Sequence, residues 1–495
     1  MGQGRTSACL YLLAFSAGFA LRLIPDLVVG PYIVGYEVLA YYAPGLMDLR
    51  RYGLLFLLNH LTAGFTLYTL AWLVYAISNP PPALFLKALG PLLYGLLSAS
   101  FLFFLRRGLG LEKKPALMAT LACISQPTCL RVGWDRYMSM MGLVPMFLAL
   151  GLLGREHEGH EGRSWSNSRL ALACLALLAV LGRELVASIF LAALTGYVVL
   201  KRQLRVDLAL TLASCYGVFM LMVLPYLGLE LFPRPGNRFA CLDFEKHCPL
   251  PILMNYLPEE VTLTSYLALA RKVVLFFLYA HFPILAFALA GAFREPRLDG
   301  MVAWLLLGAL INPLVFPFAS VPFHQRWATL LVFPFCAYMG RWFSRIPRRR
   351  ACLAWVLVLA YLAVGAAYMS GLFSYPYGPE NDWIPIYIPR SSLRVHELEE
   401  CKICLSWLNK HADNGSCLLV EERFRGPALL YTREDIFIIM YWIPGQLDQA
   451  LKEALSRGFE HIYLLWYSGL QHKGLRPVFS YGSFSIYLFY PTWKG

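Results

Sequence analysis

Between residues 7 and 369 one pattern recurs about eleven times: a run of predominantly apolar residues closed by a charged or Pro/Gly-containing turn. A bilayer-spanning helix needs roughly 20 such residues, and only helices or closed barrels satisfy their backbone groups inside lipid. The composition agrees. With 58% hydrophobic residues, 15% charged residues and a mean hydropathy of +0.54, the chain carries too much apolar surface for a water-soluble fold. A soluble enzyme, a single-anchor receptor and a nucleic-acid-binding module are thereby excluded. The formal net charge of +13 then reads as Lys and Arg in cytoplasmic loops beside anionic lipid rather than as a nucleic-acid footprint.

The first apolar run, 7–24, has no small-residue cleavage site and reads as a retained helix. Later candidates are 83–105, 115–130, 138–153, 170–182, 185–200, 206–227, 273–293, 301–319, 327–343 and 351–369. The connections sort by charge. One alternating set holds 17 basic residues, running from Arg106 and Arg107 to Arg348, Arg349 and Arg350, and the other holds nine, including Arg131, Arg136, Arg183 and Arg326. By the positive-inside rule the richer set is cytoplasmic, which places the amino terminus inside and the carboxy-terminal region outside the cell membrane. The apolar stretch 54–78 then cannot cross once, so 25–82 reads as a long first outer loop with helices at or dipping into the interface. A real crossing there, with the amino terminus outside, is the alternative.

From residue 374 the composition shifts to a Pro/Tyr/Gly-rich linker followed by alternating helical and strand patterns. Helices are expected at 395–411 and 447–458, and strands at 416–421, 435–442, 461–466 and 484–490. This organisation predicts two domains, a multi-helix membrane domain over 1–373 and an extracytoplasmic domain over 374–495 with a small, mainly parallel α/β sheet. Of the 12 cysteines, seven lie in or beside membrane helices as apolar filler. Cys241 and Cys248 are placed to pair outside. Cys401, Cys404 and Cys417 read as structural thiols, with one disulfide or a zinc site completed by His411 as the alternatives. Asn414, Gly415 and Ser416 form a glycosylation sequon in a loop of the outer domain.

Phosphate-cradling loops, HExxH, the GxSxG elbow and EF-hand loops are absent from the sequence. What remains is a set of ionisable residues at outer helix ends, where charge is costly and therefore functionally suspect. The richest stretch runs from Arg22, Pro25 and Asp26 through Gly35, Tyr36 and Glu37 to Tyr41 and Tyr42. A carboxylate just beyond the first helix, flanked by tyrosines, could take a proton from a hydroxyl while aromatic faces hold a sugar ring. Alternatively, Glu37 caps an interfacial helix and the tyrosines belong to the aromatic belt. Arg183 and Glu184 form the tight outer turn of a helical hairpin, as a buried ion pair or as a substrate contact.

These residues resemble the outer loops of GT-C integral-membrane glycosyltransferases, which use lipid-phosphate-linked sugars. The likeness rests on Arg22, Pro25, Gly35, Tyr36 and Glu37 after the first helix. It continues through Pro127, Arg131, Trp134, Asp135 and Arg136 at the next outer turn, and Phe323, His324, Gln325, Arg326 and Trp327 at a late one. The resemblance implies a polyprenyl-phosphate-linked sugar donor, a glycan, lipid or protein acceptor, and no nucleic acid. Glu37, or else Asp26, would act as base, with Asp135 orienting the acceptor. Tyr36, Tyr41, Arg131, Glu184, His324 and Arg326 would contact substrate. The second outer loop offers a single acid where oligosaccharide-transferring members have a pair. Transfer of one sugar is therefore implied, with inversion at the anomeric carbon and no essential divalent metal. A non-catalytic transporter or lipid flippase is the rival, which inverted repeats with broken midplane helices would favour.

Overall fold

The computed structural model describes residues 2–33, 35–59, 64–155, 165–201, 205–223, 238–242, 267, 271, 274–275, 277–292, 329–372, 393–441, 444–472 and 474–489. Helix α1 (Gly2–Val28) packs along α5 (Pro82–Phe103). Glycines permit the approach: a Cβ at Gly18 would lie 2.8 Å from the Tyr94 carbonyl, and one at Gly95 would lie 2.8 Å from the Phe15 ring. Small residues at such crossings let helix backbones close together in lipid, where dispersion rather than water exclusion holds them.

The loop after α1 folds into short pieces, a π-helical turn (Val38–Tyr42), then α2 (Ala43–Tyr52), α3 (Leu54–Asn59) and α4 (Phe65–Ser78). Neither α3, with six residues, nor α4, with 14, reaches the roughly 20 needed to span a bilayer.

The expected helix over 115–130 is two helices. α6 (Lys113–Ser125) ends at Gln126, whose backbone is extended (φ −72°, ψ 134°), and α7 (Pro127–Asp135) begins at once with Pro127. The proline ring disfavours helical geometry in the residue before it and suits the first helical position itself. A second break at Arg136 turns the chain by 113° into α8 (Tyr137–Arg155). All nine residues of α7 are buried, so it packs inside the helix bundle rather than on its surface.

Arg183 joins α9 (Trp165–Gly182) to α10 (Glu184–Lys201), and α11 (Val206–Val223) follows. The later described helices of the bundle are α12 (Ile284–Ala292), α13 (Val332–Ser344) and α14 (Ala351–Met369). A chain of edge-on rings ties α5, α8 and α13 together, with Phe101 to Phe147 at 5.1 Å and Phe147 to Phe333 at 4.9 Å.

Among the described residues three helices are long and apolar enough to cross a membrane, or four if α7 and α8 count as one broken span. The expected count of about eleven is therefore not confirmed among these residues. Hydropathy adds apolar residues without seeing where the backbone breaks, and the break at Gln126 divides the expected 115–130 helix into shorter pieces. The candidate span 301–319 lies outside the described residues, as do parts of 273–293 and 327–343.

The carboxy-terminal domain is a six-stranded sheet in the order β1-β3-β2-β4-β6-β5. β2 (Cys417–Glu421), β3 (Phe437–Tyr441) and β4 (Ile462–Tyr467) are parallel, while β6 (Phe484–Phe489) and β5 (Leu475–Tyr481) add an antiparallel edge. α15 (Val395–His411) and α16 (Arg425–Tyr431) cover one face, and α17 (Leu447–Ser456) covers the other, ending before Gly458 at φ +82°. β5 lacks an alternating signal because it carries Pro477 and polar residues on an edge. The opposite edge, β1 (Phe239–Cys241), comes from the loop after α11 and pairs in parallel with β3. Arg238 fixes that insertion. Its guanidinium donates to the carbonyls of Leu429 at 2.6 Å, Thr432 at 3.1 Å and Arg433 at 2.8 Å, at the end of α16.

Cys401 and Cys404 pack on the α15 face of the sheet and Cys417 on the α17 face, all as free buried thiols. Opposite faces of one sheet cannot supply a common zinc site, and burial pushes the Cys417 thiol up to about 12 and that of Cys404 up to about 11. They are packing groups. The expected Cys241–Cys248 pair lies outside the described side chains.

Candidate active site

The carboxylates singled out from the sequence fall into two adjoining clusters where α1, the loop that follows it, α7 and the α9–α10 turn meet. In the first, Arg22 is wholly buried and each of its three nitrogens donates a hydrogen bond. Its Nη1 donates to Asp26 Oδ2 at 2.6 Å, Nε to the Gly133 carbonyl at 2.9 Å, and Nη2 to the Trp134 carbonyl at 3.1 Å and the Tyr137 hydroxyl at 2.7 Å. Asp26 sits one helical turn from Arg22, so the pair follows from helix geometry. Arg22 thereby fastens α1 to the exposed carbonyls at the carboxyl end of α7.

The second cluster contains Glu37 and Asp135. Gly35, with φ +104°, turns the loop after α1 so that the Glu37 amide donates to Asp135 Oδ2 at 3.4 Å. The π-helical turn that follows places residue 42 over residue 37, and the Tyr42 hydroxyl donates to Glu37 Oε2 at 2.9 Å. Arg183 reaches the same oxygen at 3.2 Å, donates to Ser139 Oγ at 3.2 Å, and lies 3.7 Å from Glu184. Asp135 pairs with Arg131 one turn earlier on α7, and Arg131 also stacks on Trp134 at 4.8 Å. Glu37, Arg131, Asp135 and Arg183 are all buried. Two carboxylates, each with its own guanidinium, thus sit under one loop, held by charge-assisted hydrogen bonds.

The carboxy-terminal domain packs against the same loop. The Tyr36 hydroxyl donates to Glu422 across 386 residues of chain, and Arg425 lies over the Tyr41 ring at 4.0 Å. The Tyr36 and Tyr41 rings meet edge to face at 5.9 Å. Burial, and after it Tyr41 and Glu422, push the Tyr36 phenol far above its ordinary range, so it stays a donor.

Of the expected site residues, Asp26, Tyr36, Glu37, Tyr41, Arg131, Asp135 and Glu184 converge on this region, whereas His324 and Arg326 lie outside the described residues. Sequence reasoning missed Glu422 and Arg425, which look like ordinary surface charges, and Tyr42 as a partner of Glu37. It left Arg183 between two readings, although a charge in the turn of an apolar hairpin was the clue. Among the described residues no group of three or more His, Cys, Asp and Glu side chains could hold a metal ion. Glu37 and Asp135 would each have to give up a guanidinium to bind one, so this donor set does not fit a divalent cation.

No family model matches the sequence, and no curated protein matches it. Solved structures do. The chain aligns over 99% of its length with 98% of ArnT from Cupriavidus metallidurans, solved bound to undecaprenyl phosphate, at 13% identity and a TM-score of 0.56. It also aligns over 97% of its length with the arabinofuranosyltransferase AftD from Mycobacteria, at 14% identity and a TM-score of 0.51, spanning 40% of that longer chain.

Proposed function

The chain has the fold of GT-C class membrane glycosyltransferases, and from that premise we propose that it transfers a single sugar from a polyprenyl-phosphate-linked donor to an acceptor hydroxyl at the outer face of the membrane. One observation carries the reading: Glu37 is drawn beside Asp135 beneath the first outer loop, with Arg183 and Tyr42 holding one of its carboxylate oxygens. Such a constellation serves acid–base work at a reacting hydroxyl.

Glu37 takes the acceptor proton as the hydroxyl oxygen attacks the anomeric carbon. The bond from that carbon to the phosphate oxygen breaks, its electron pair leaves with the lipid phosphate, and the centre inverts. Asp135, steered by Arg131, orients the acceptor. Tyr36 and Tyr41 offer ring faces to the sugar, and Arg131 supplies positive charge near the departing phosphate. Arg183 and Tyr42 hold the Glu37 carboxylate in one rotamer before the acceptor arrives. Asp26, fully engaged by Arg22, serves the architecture. The acids and the outer domain face outward in this reading, with the amino terminus inside.

Glu37→Gln retains size and hydrogen bonding but removes the basic oxygen, so kcat should fall about 10²- to 10⁴-fold in an assay of radiolabelled polyprenyl-phosphate sugar. Asp26→Asn should act chiefly on stability. Near-normal turnover in Glu37→Gln beside a dead, folded Asp26→Asn would move the base to Asp26. Normal turnover in both would remove the catalytic basis of the reading.

A further inference from the structure

Between the loop that carries Glu37 and the carboxy-terminal domain lies an open cleft of about 400 Å³, within the range of roughly 300–1,000 Å³ usual for small-ligand sites. One side of α15 forms its floor, and helical spacing sets the chemistry there. Lys402, Ser406 and Lys410 recur every four residues and so form one stripe, while Trp407 and His411 form the adjoining one. Lys402, Ser406, Lys410 and His411 are all exposed.

Rings wall the cleft. Phe479 of β5 and His411 both lie nearly parallel to the Trp407 indole, at centroid distances of 5.1 Å and 4.4 Å. His411 Nδ1 donates to the Trp407 carbonyl at 2.8 Å, which leaves Nε2 outside that bond. Tyr32, from the loop after α1, closes another side. It precedes Glu37 by five residues, a length of chain that spans at most about 18 Å, so a short oligosaccharide can reach from the cleft to Glu37. Glu399 is the one acid in the described lining, and it faces the Tyr32 phenol. Lys402 lies over the Tyr431 ring at 5.5 Å. Neither Lys402 nor Lys410 forms an ion pair among the described residues, whereas Arg433 and Arg457 of the same domain hold Asp435 and Glu453. The cleft therefore combines positive charge in excess with aromatic surface.

We propose that this cleft binds a carboxylate-bearing saccharide segment of the acceptor, with Lys402 and Lys410 holding its acidic groups. The proposal rests on the glycosyltransferase reading for its role in catalysis, while the binding chemistry stands on the cleft alone. The two lysines are eight residues apart, about 12 Å along the helix axis, a spacing that suits two separate monoanions on a glycan better than one compact phosphate. The described lining holds no arginine, whose planar fork is the better match to phosphate. Midway between the lysines, the Ser406 hydroxyl donates to the Lys402 carbonyl at 2.8 Å, so its oxygen can accept from a sugar hydroxyl. Half-buried Trp407 and Phe479 supply apolar surface for the C–H face of a pyranose. The acceptor is thus anchored by its charge, and one of its hydroxyls is brought to Glu37.

The test is saturation-transfer NMR on the full-length protein in phosphatidylcholine nanodiscs, with trigalacturonate and a hyaluronan tetrasaccharide as probes. Maltotriose is the neutral counterpart and inorganic phosphate the anion control. At least one uronate should bind, and more tightly than maltotriose. The double variant Lys402→Gln with Lys410→Gln should weaken that binding about tenfold or more, as expected when charge-assisted contacts are lost. Both lysines are exposed, so the melting temperature should stay unchanged. Lys452→Gln, at an exposed position of α17 on the other face of the sheet, should bind as the wild type does. Glu37→Gln should lose turnover and keep uronate binding, which separates failure of this proposal from failure of the catalytic reading. Absence of saturation for both uronates, equal binding of maltotriose, binding indifferent to the double lysine variant, or displacement of the uronate by phosphate at equal concentration would overturn the proposal.

Discussion

Gly35 lies against Asp135 so closely that a Cβ on the glycine would be 2.6 Å from the Cβ of the aspartate. The contact joins the loop after α1 to the end of α7. It fixes where Glu37 sits, because the next peptide but one donates its amide to the same Asp135 carboxylate.

Gly35→Ala therefore meets two penalties, a φ of +104° that side chains rarely adopt and a clash with backbone-anchored atoms. A non-glycine residue in a sparsely populated region costs about 1–3 kcal/mol, and the clash adds to it. We expect kcat to drop at least tenfold in protein that still purifies as a folded species, since displacing the loop by even an ångström misaligns Glu37. Full turnover in Gly35→Ala would show that the loop position does not govern catalysis.

Asp26→Ala leaves the buried guanidinium of Arg22 without its carboxylate. Breaking one side of a buried ion pair costs about 3–5 kcal/mol, so denaturant unfolding in detergent should show a loss of that order. The double variant Arg22→Met with Asp26→Ala should recover part of it, since an apolar pair removes the uncompensated charge. No loss in the single variant would make the Arg22–Asp26 pair dispensable.

Chelation should leave turnover largely intact. Hard divalent cations bind through several oxygens, and here Glu37 and Asp135 already face Arg183 and Arg131. Activity lost to EDTA and restored by magnesium or manganese would mean that the two guanidinium groups swing away to admit a metal.

Sidedness is checked by single-cysteine labelling in intact cells. A probe at Asn414 should react from outside, and one at Arg348 only after permeabilisation, as the distribution of Lys and Arg requires. The reverse pattern would place Glu37 and Asp135 on the cytoplasmic side and away from an outward-facing donor.

The sequence by itself determined the class of the molecule, because the burial preference of apolar side chains is additive and local. No arrangement of so many apolar runs could be soluble. It likewise determined the helix stop at Gly458 and the strands around Leu419, Ile439 and Leu464. The tertiary structure alone decided which charges meet across the chain. Arg183 reaches Glu37 over 146 residues and Tyr36 reaches Glu422 over 386, and a loop after α11 supplies β1 to a sheet two hundred residues downstream. Those contacts depend on how helices and domains pack in space, and a local pattern of hydropathy or charge carries no record of a partner that only folding brings near.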